Sequence, residues 1–232
     1  MDAFPCLPED RSITISQNNC LHSASYHGHE KCIAILLKYG AAHLMNGAEM
    51  YPIHLAVKQK NVACLRMMLS HTSQDILSLQ SGNEYNSLQY LCMNTHAADK
   101  KATACACILL NAGIDAEVTP EFDERLCALY LAMRNGAKEL VYHLLLNGVC
   151  PYIGLDVSER LLKNPRIAAS VEVIQTFMDQ PSSLLIATRI AIRKFLILQK
   201  GGISTAFKLP IPYVLQHYLF HGHIDTDGLC DP

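Results

Sequence analysis

The chain has 232 residues, half of them apolar and 17% charged, which is the composition of a core-forming protein and not of a disordered one. A formal net charge of −2, no tryptophan and no basic run interleaved with aromatics argue against a nucleic-acid partner. The longest apolar stretch, Leu184 to Leu198, is broken by Thr188, Arg189, Arg193 and Lys194. It falls short of the about 20 apolar residues that cross a bilayer, so no membrane role is expected.

The first residues, Met1 to Cys6, lack the basic and apolar regions of a signal peptide, and the expected compartment is the cytoplasm, with the nucleus also open. The ten cysteines then meet a reducing environment, and no Cys-x-x-Cys pair occurs among them. Cys32, Cys64, Cys92, Cys105 and Cys107 fall on apolar faces and are read as buried, unreactive thiols. Cys105 and Cys107 are two apart and point to different sides of a helix, so they cannot share a metal. Neither a metal nor a cofactor is expected.

A repeat runs along the first two thirds of the chain. Asn19-Cys20-Leu21-His22-Ser23-Ala24 aligns with Tyr51-Pro52-Ile53-His54-Leu55-Ala56, and the two histidines stand 32 positions apart. A Gly turn at Gly28 and a second apolar stripe at Ile33, Leu36 and Leu37 follow the first tetrad, closing at Gly40-Ala41. The second unit continues through Val57, Asn61, Val62, Leu65, Met68 and Leu69. A third begins at Asn86-Ser87-Leu88-Gln89 and closes at Ile108-Leu109-Leu110-Asn111-Ala112-Gly113, with extra residues around Asn94 to Thr103. The fourth starts at Cys127-Ala128-Leu129-Tyr130, turns at Asn135-Gly136 and closes at Leu144-Leu145-Leu146-Asn147-Gly148.

Small Ala three residues after Leu21, Ile53 and Leu129 lets first helices of neighbouring units approach closely. Gly at the turns supplies the positive φ that other residues reach only at a cost. One such helix pair cannot bury its own face, so the units must stack. His22 and His54, at the start of their helices, are read as backbone hydrogen-bonders between units. The pattern resembles ankyrin repeats, whose period is about 33 residues. It departs from them where Cys20 stands for the usual Pro, and where Gln89 and Tyr130 stand for the usual His.

After Pro151 the repeat stops. Residues 158–180 read as one or two connecting helices, interrupted at Asn164-Pro165. Pro181-Ser182-Ser183 then offers a helix start. The next helix, about Leu184 to Gln199, is apolar nearly all round, leaving a narrow polar stripe at Arg189 and Arg193. A helix of that kind must be covered on most sides, by the last repeat and by another chain, or wholly within this one.

Ser183 to Arg193 (Ser-Leu-Leu-Ile-Ala-Thr-Arg-Ile-Ala-Ile-Arg) resembles the BC box of a SOCS box, and Leu209-Pro210-Ile211-Pro212-Tyr213-Val214-Leu215-Gln216-His217-Tyr218-Leu219 resembles its cullin box. Repeats followed by such a box are the order of the ankyrin-repeat and SOCS-box family. The resemblance implies an all-α chain: about four imperfect repeats over residues 1–157, connecting helices over 158–181, a small helical SOCS box over 182–221 and a tail over 222–232, the last expected to be disordered. It implies that Leu184, Thr188, Arg189 and Ile192 bind elongin C, with elongin B alongside. It further implies that Leu209, Pro210, Ile211, Pro212, Leu215, Tyr218 and Leu219 bind a cullin of the fifth class with its RING protein. Thr188 stands where the family has Cys, and Ala187 where it often has Leu.

The function so implied is a non-enzymatic adaptor that brings an unknown protein target to a ubiquitin ligase. The target would be held on the concave surface by the repeat tips near Asn46–Met50, Gly82–Tyr85 and Val118–Asp123. The competing reading is a general interaction module whose box only caps the stack. No Gly-rich phosphate loop, Gly-x-Ser-x-Gly or His-Glu-x-x-His motif argues for catalysis.

Overall fold

The computed structural model describes residues 18–71, 74–96, 99–121, 123, 126–151, 163–179, 188, 190–193, 195 and 219. The repeats fold as four helix pairs. They are α1 (Cys20–His27) with α2 (Glu30–Lys38), α3 (Pro52–Lys58) with α4 (Val62–His71), α5 (Ser87–Met93) with α6 (Lys100–Ala112), and α7 (Ala128–Arg134) with α8 (Lys138–Leu146). First helices stack in the order α1, α3, α5, α7 and second helices in the order α2, α4, α6, α8, so each unit touches its neighbours along the chain. A final helix, α9 (Pro165–Asp179), packs on α8 and α7 at the end of the stack.

The same local problem, starting a short first helix, is solved in three ways across the four units. In the first unit the Asn19 side chain accepts from the His22 amide at 3.0 Å, while the Asn19 amide donates to His22 Nδ1 at 3.2 Å. Asn86 and Gln89 repeat this reciprocal cap in the third unit at 2.9 and 2.8 Å. Pro52 opens α3 at its first position, where the missing N–H costs nothing. In the fourth unit Cys127 Sγ accepts from the Tyr130 amide at 3.4 Å.

The turn after three of the four first helices also recurs in form and not in residue. Gly28 (φ 79°), Lys60 (φ 54°) and Gly136 (φ 71°) take the left-handed conformation there. A Cβ at Gly28 would in addition press on the Asn61 side-chain amide of the next unit. Gly28→Ala is therefore expected to lower folding stability by about 1–2 kcal/mol, measured by urea denaturation. Lys60 occupies the same conformation with a partner: its ammonium pairs with Asp99 at 2.6 Å in the third unit.

The extra residues expected near Asn94 to Thr103 take two forms. More residues separate Met93, the end of α5, from Lys100, the start of α6, than separate the helices of the other pairs, and α6 runs for 13 residues. Asp99 caps that helix, accepting from the Ala102 amide at 3.1 Å. Burial alone would raise the Asp99 carboxyl, but the Lys60 ammonium and the capping amides hold it below its ordinary value.

The core is one continuous cluster in which Ile33, Ile53, Leu65, Met68, Leu88, Leu91, Leu109, Leu129 and Leu131 lose all solvent contact. Of the thiols expected inside, Cys64, Cys92 and Cys105 are buried, as is Cys127, and burial pushes all four upward, Cys105 to about 12. Two expectations are corrected. Cys32 is exposed, because no described helix covers that side of the first unit, and Cys107 is only partly buried. At the break expected at Asn164-Pro165, Pro165 opens α9, and the Asn164 side chain accepts from the Arg166 amide at 3.0 Å. Residues 158–162 and the tail over 222–232 lie outside the described residues.

Candidate functional site

Between the helix pairs run loops over 41–50, 80–86 and 115–121, the fingers of the repeats. The first two fold alike: Asn46 and Ser81 donate their amides to the carbonyls of Met50 and Tyr85 at 3.0 and 2.9 Å. Adjacent fingers are tied by the Gly82 amide on the Glu49 carbonyl at 2.9 Å, and by the Glu121 amide on Glu84 Oε2 at 2.8 Å.

The helix-start residues brace the fingers from below, as read from the sequence for His22 and His54. His22 Nε2 meets the Met50 carbonyl and His54 Nε2 the Tyr85 carbonyl, each at 3.1 Å. Gln89, the departure in the third unit, does the same work twice over, donating to the carbonyls of Val118 and Leu126 at 2.9 Å each. Burial lowers the basicity of His22 and takes His54 down to about 4, so both rings are neutral at pH 7.

The face made by fingers and first helices is the first candidate surface. Tyr26, Lys58, Met93 and Arg134 hold matching places on the four first helices; all but the half-buried Met93 are exposed. Of the finger residues expected to read a target, Asn46 is buried and works as scaffold, its Oδ1 accepting from the amides of Ala48 and Met50 at 3.0 and 2.9 Å. Leu44 and Met45, just before the tip, are 60% and 40% exposed, and sequence reasoning passed over them. Exposed apolar and aromatic groups among isolated charges suit a protein partner.

The second candidate surface is on the C-terminal helical residues, and there the sequence expectation is inverted. Arg193, read as part of a polar stripe, is 1% exposed, whereas Ile192 and Phe195 are 37% and 59% exposed. Arg193 Nη1 donates to the Leu219 carbonyl at 2.7 Å and Nη2 to Asn111 Oδ1 at 2.9 Å. Thr188, Ile192 and Phe195, spaced i, i+4, i+7, are all exposed. Leu219, read as a cullin contact, is buried. Leu184 and Arg189 lie outside the described residues, as do Leu209, Pro210, Ile211, Pro212, Leu215 and Tyr218.

Elsewhere, Cys107 Sγ lies 3.7 Å from His143 Nδ1 between α6 and α8. Among the described residues no three His, Cys, Asp or Glu side chains gather as a metal site would require, and no helix is long and apolar enough to cross a membrane.

No curated protein matches the chain. A family model described as ankyrin repeats (many copies) matches residues 18–69, the span of α1 to α4. The helix pairs of α5 to α8 continue the same stacking, so the described residues form an all-α repeat solenoid that includes ankyrin repeats, units that imply a protein–protein interaction module.

Proposed function

We propose that this chain is the substrate-recognition subunit of a cullin ubiquitin ligase. In this reading the finger face holds a protein target, and the C-terminal helix docks on elongin C. Elongin B, a cullin of the fifth class and its RING protein complete the assembly. The chain contributes proximity and no chemistry of its own.

The observation that carries the reading is the stripe of Thr188, Ile192 and Phe195, turned outward while Arg193 on the same helix is turned in. A helix that packs through its arginine and displays its apolar side chains needs a second apolar surface over it. Thr188 and Ile192 of that stripe are among the residues that the SOCS-box resemblance assigns to elongin C.

Co-expression with elongin B and elongin C followed by size-exclusion chromatography tests the reading. A stable complex, lost in Leu184→Ala, supports it; a chain that elutes alone sinks it. Thr188→Cys should tighten the complex, because the resemblance places a Cys at this position and a thiol is less costly than a hydroxyl to bury in an apolar pocket. Titration calorimetry of the two forms reads the difference, and unchanged affinity would count against Thr188 as the pocket residue.

One observation favours a second reading, an interaction module whose C-terminal segment caps the stack. Leu219 and Arg193 are buried together against the third repeat, as parts of a cap would be. The same chromatography separates the two.

A further inference from the structure

The buried guanidinium of Arg193 joins three segments that are distant in sequence. One bond runs to the backbone of Leu219 and another to the side chain of Asn111, 82 residues away. Asn111 lies in the last turn of α6, two residues before the left-handed Gly113 (φ 95°) that ends the helix. The amides of Gly113 and Ile114 occupy the carbonyls of Leu110 and Leu109. The carbonyl end of a helix favours a cation, so backbone and side chain both recommend this spot for a guanidinium.

The repeats do not offer that spot equally. The closing run Ile108-Leu109-Leu110-Asn111 matches Ile35-Leu36-Leu37-Lys38 in the first unit, and the corresponding residue of the fourth is Leu146. A lysine would repel Arg193 and a leucine would accept nothing from it. Among these three closures only the third presents an acceptor.

We infer that Asn111 and Arg193 form a latch that holds the C-terminal helix in one register on the third repeat, with Asn111 as the positioning residue. A guanidinium without solvent must keep its hydrogen-bond acceptors, so sliding the helix by one residue or one turn strands the charge. Apolar contacts alone would tolerate such slippage. The latch sets which side chains face outward: with Arg193 inward, Thr188, Ile192 and Phe195 are presented to a partner. On the adaptor reading, the latch also fixes the direction in which elongin C leaves the solenoid. The latch itself does not rest on that reading.

Hydrogen–deuterium exchange of the full chain, without any partner, tests it. Asn111→Lys imports the first unit's residue, which suits a helix end but opposes Arg193, and Asn111→Asp keeps an acceptor. Peptides covering 188–195 should exchange at least tenfold faster in Asn111→Lys than in wild type and remain protected in Asn111→Asp. Peptides from α1 to α4 should be unchanged in both, which shows the repeats folded. Equal protection over 188–195 in wild type and Asn111→Lys overturns the latch, as does equal loss in the two variants. Because elongin is absent, failure of the adaptor reading would not mimic either result.

Discussion

Acidification from pH 7 to about pH 4 should remove about 3 kcal/mol of folding stability through His54 alone, and His54→Gln should abolish that part of the loss. The ring is fully buried, and burial lowers it from 6.5 to about 4 although its bond to the Tyr85 carbonyl pulls the other way. Above pH 6.5 the folded and unfolded chains both carry a neutral imidazole, and the contribution is complete. Between 6.5 and about 4 only the unfolded chain binds the proton, so stability falls as the pH falls. Below about 4 the folded form is protonated too and the loss ends.

His22 and His43, also lowered by burial, act in the same direction. Asp99, held below its ordinary 3.8, adds its loss only at more acid pH. Glutamine is the apt replacement because the chain already uses it: Gln89 braces the next finger at the corresponding place in the third unit without titrating. Urea denaturation of wild type and His54→Gln at pH 7 and pH 4.5 reads the effect. Parallel falls in the two proteins would show that His54 does not drive the acid response.

The same comparison of His54 with Gln89 shows how far the sequence could be read. The spacing of His22 and His54, the Leu or Ile followed by Ala, and the turn glycines all report constraints that act within a few residues, and they predicted the helix pairs and their stacking. Gln89 looked like a departure from the repeat because residue type was visible and hydrogen-bond geometry was not; in the structure it keeps the role. Cys32 sat on a stripe that periodicity marks as apolar, yet whether a stripe is covered depends on what lies beside it. Ile35, on the same helix, is 57% exposed for the same reason.

Arg193 is the sharpest case. Helical periodicity placed it on a polar stripe with Arg189 and so toward water. Its partners include a side chain 82 residues earlier and a backbone carbonyl 26 residues later. No local pattern reports contacts at that range, and the exposure of Ile192 and Phe195 follows from where Arg193 goes. The stripe at Thr188 and Ile192 was legible as a resemblance; the physical reason it faces outward was not.

That outward stripe leads to the second large effect. On the proposed adaptor reading, Ile192→Asp should weaken binding to elongin B–elongin C by more than about a hundredfold, a loss of about 3 kcal/mol or more. Two terms combine: an apolar anchor is removed, and a carboxylate is forced out of water in an interface that offers it no partner. Ile192 is 37% exposed in the chain alone, so the substitution should leave the urea midpoint nearly unchanged. This separation of binding from folding makes the variant more informative than changes at Arg193, whose loss would disturb both. Phe195→Asp, at 59% exposure one turn further on, extends the test along the stripe. If calorimetry finds that both variants bind elongin B–elongin C as wild type does, the partner does not use this face. If both bind weakly while their urea midpoints hold, the stripe is the contact, and Arg193 serves it from behind by keeping the helix in register on the third repeat.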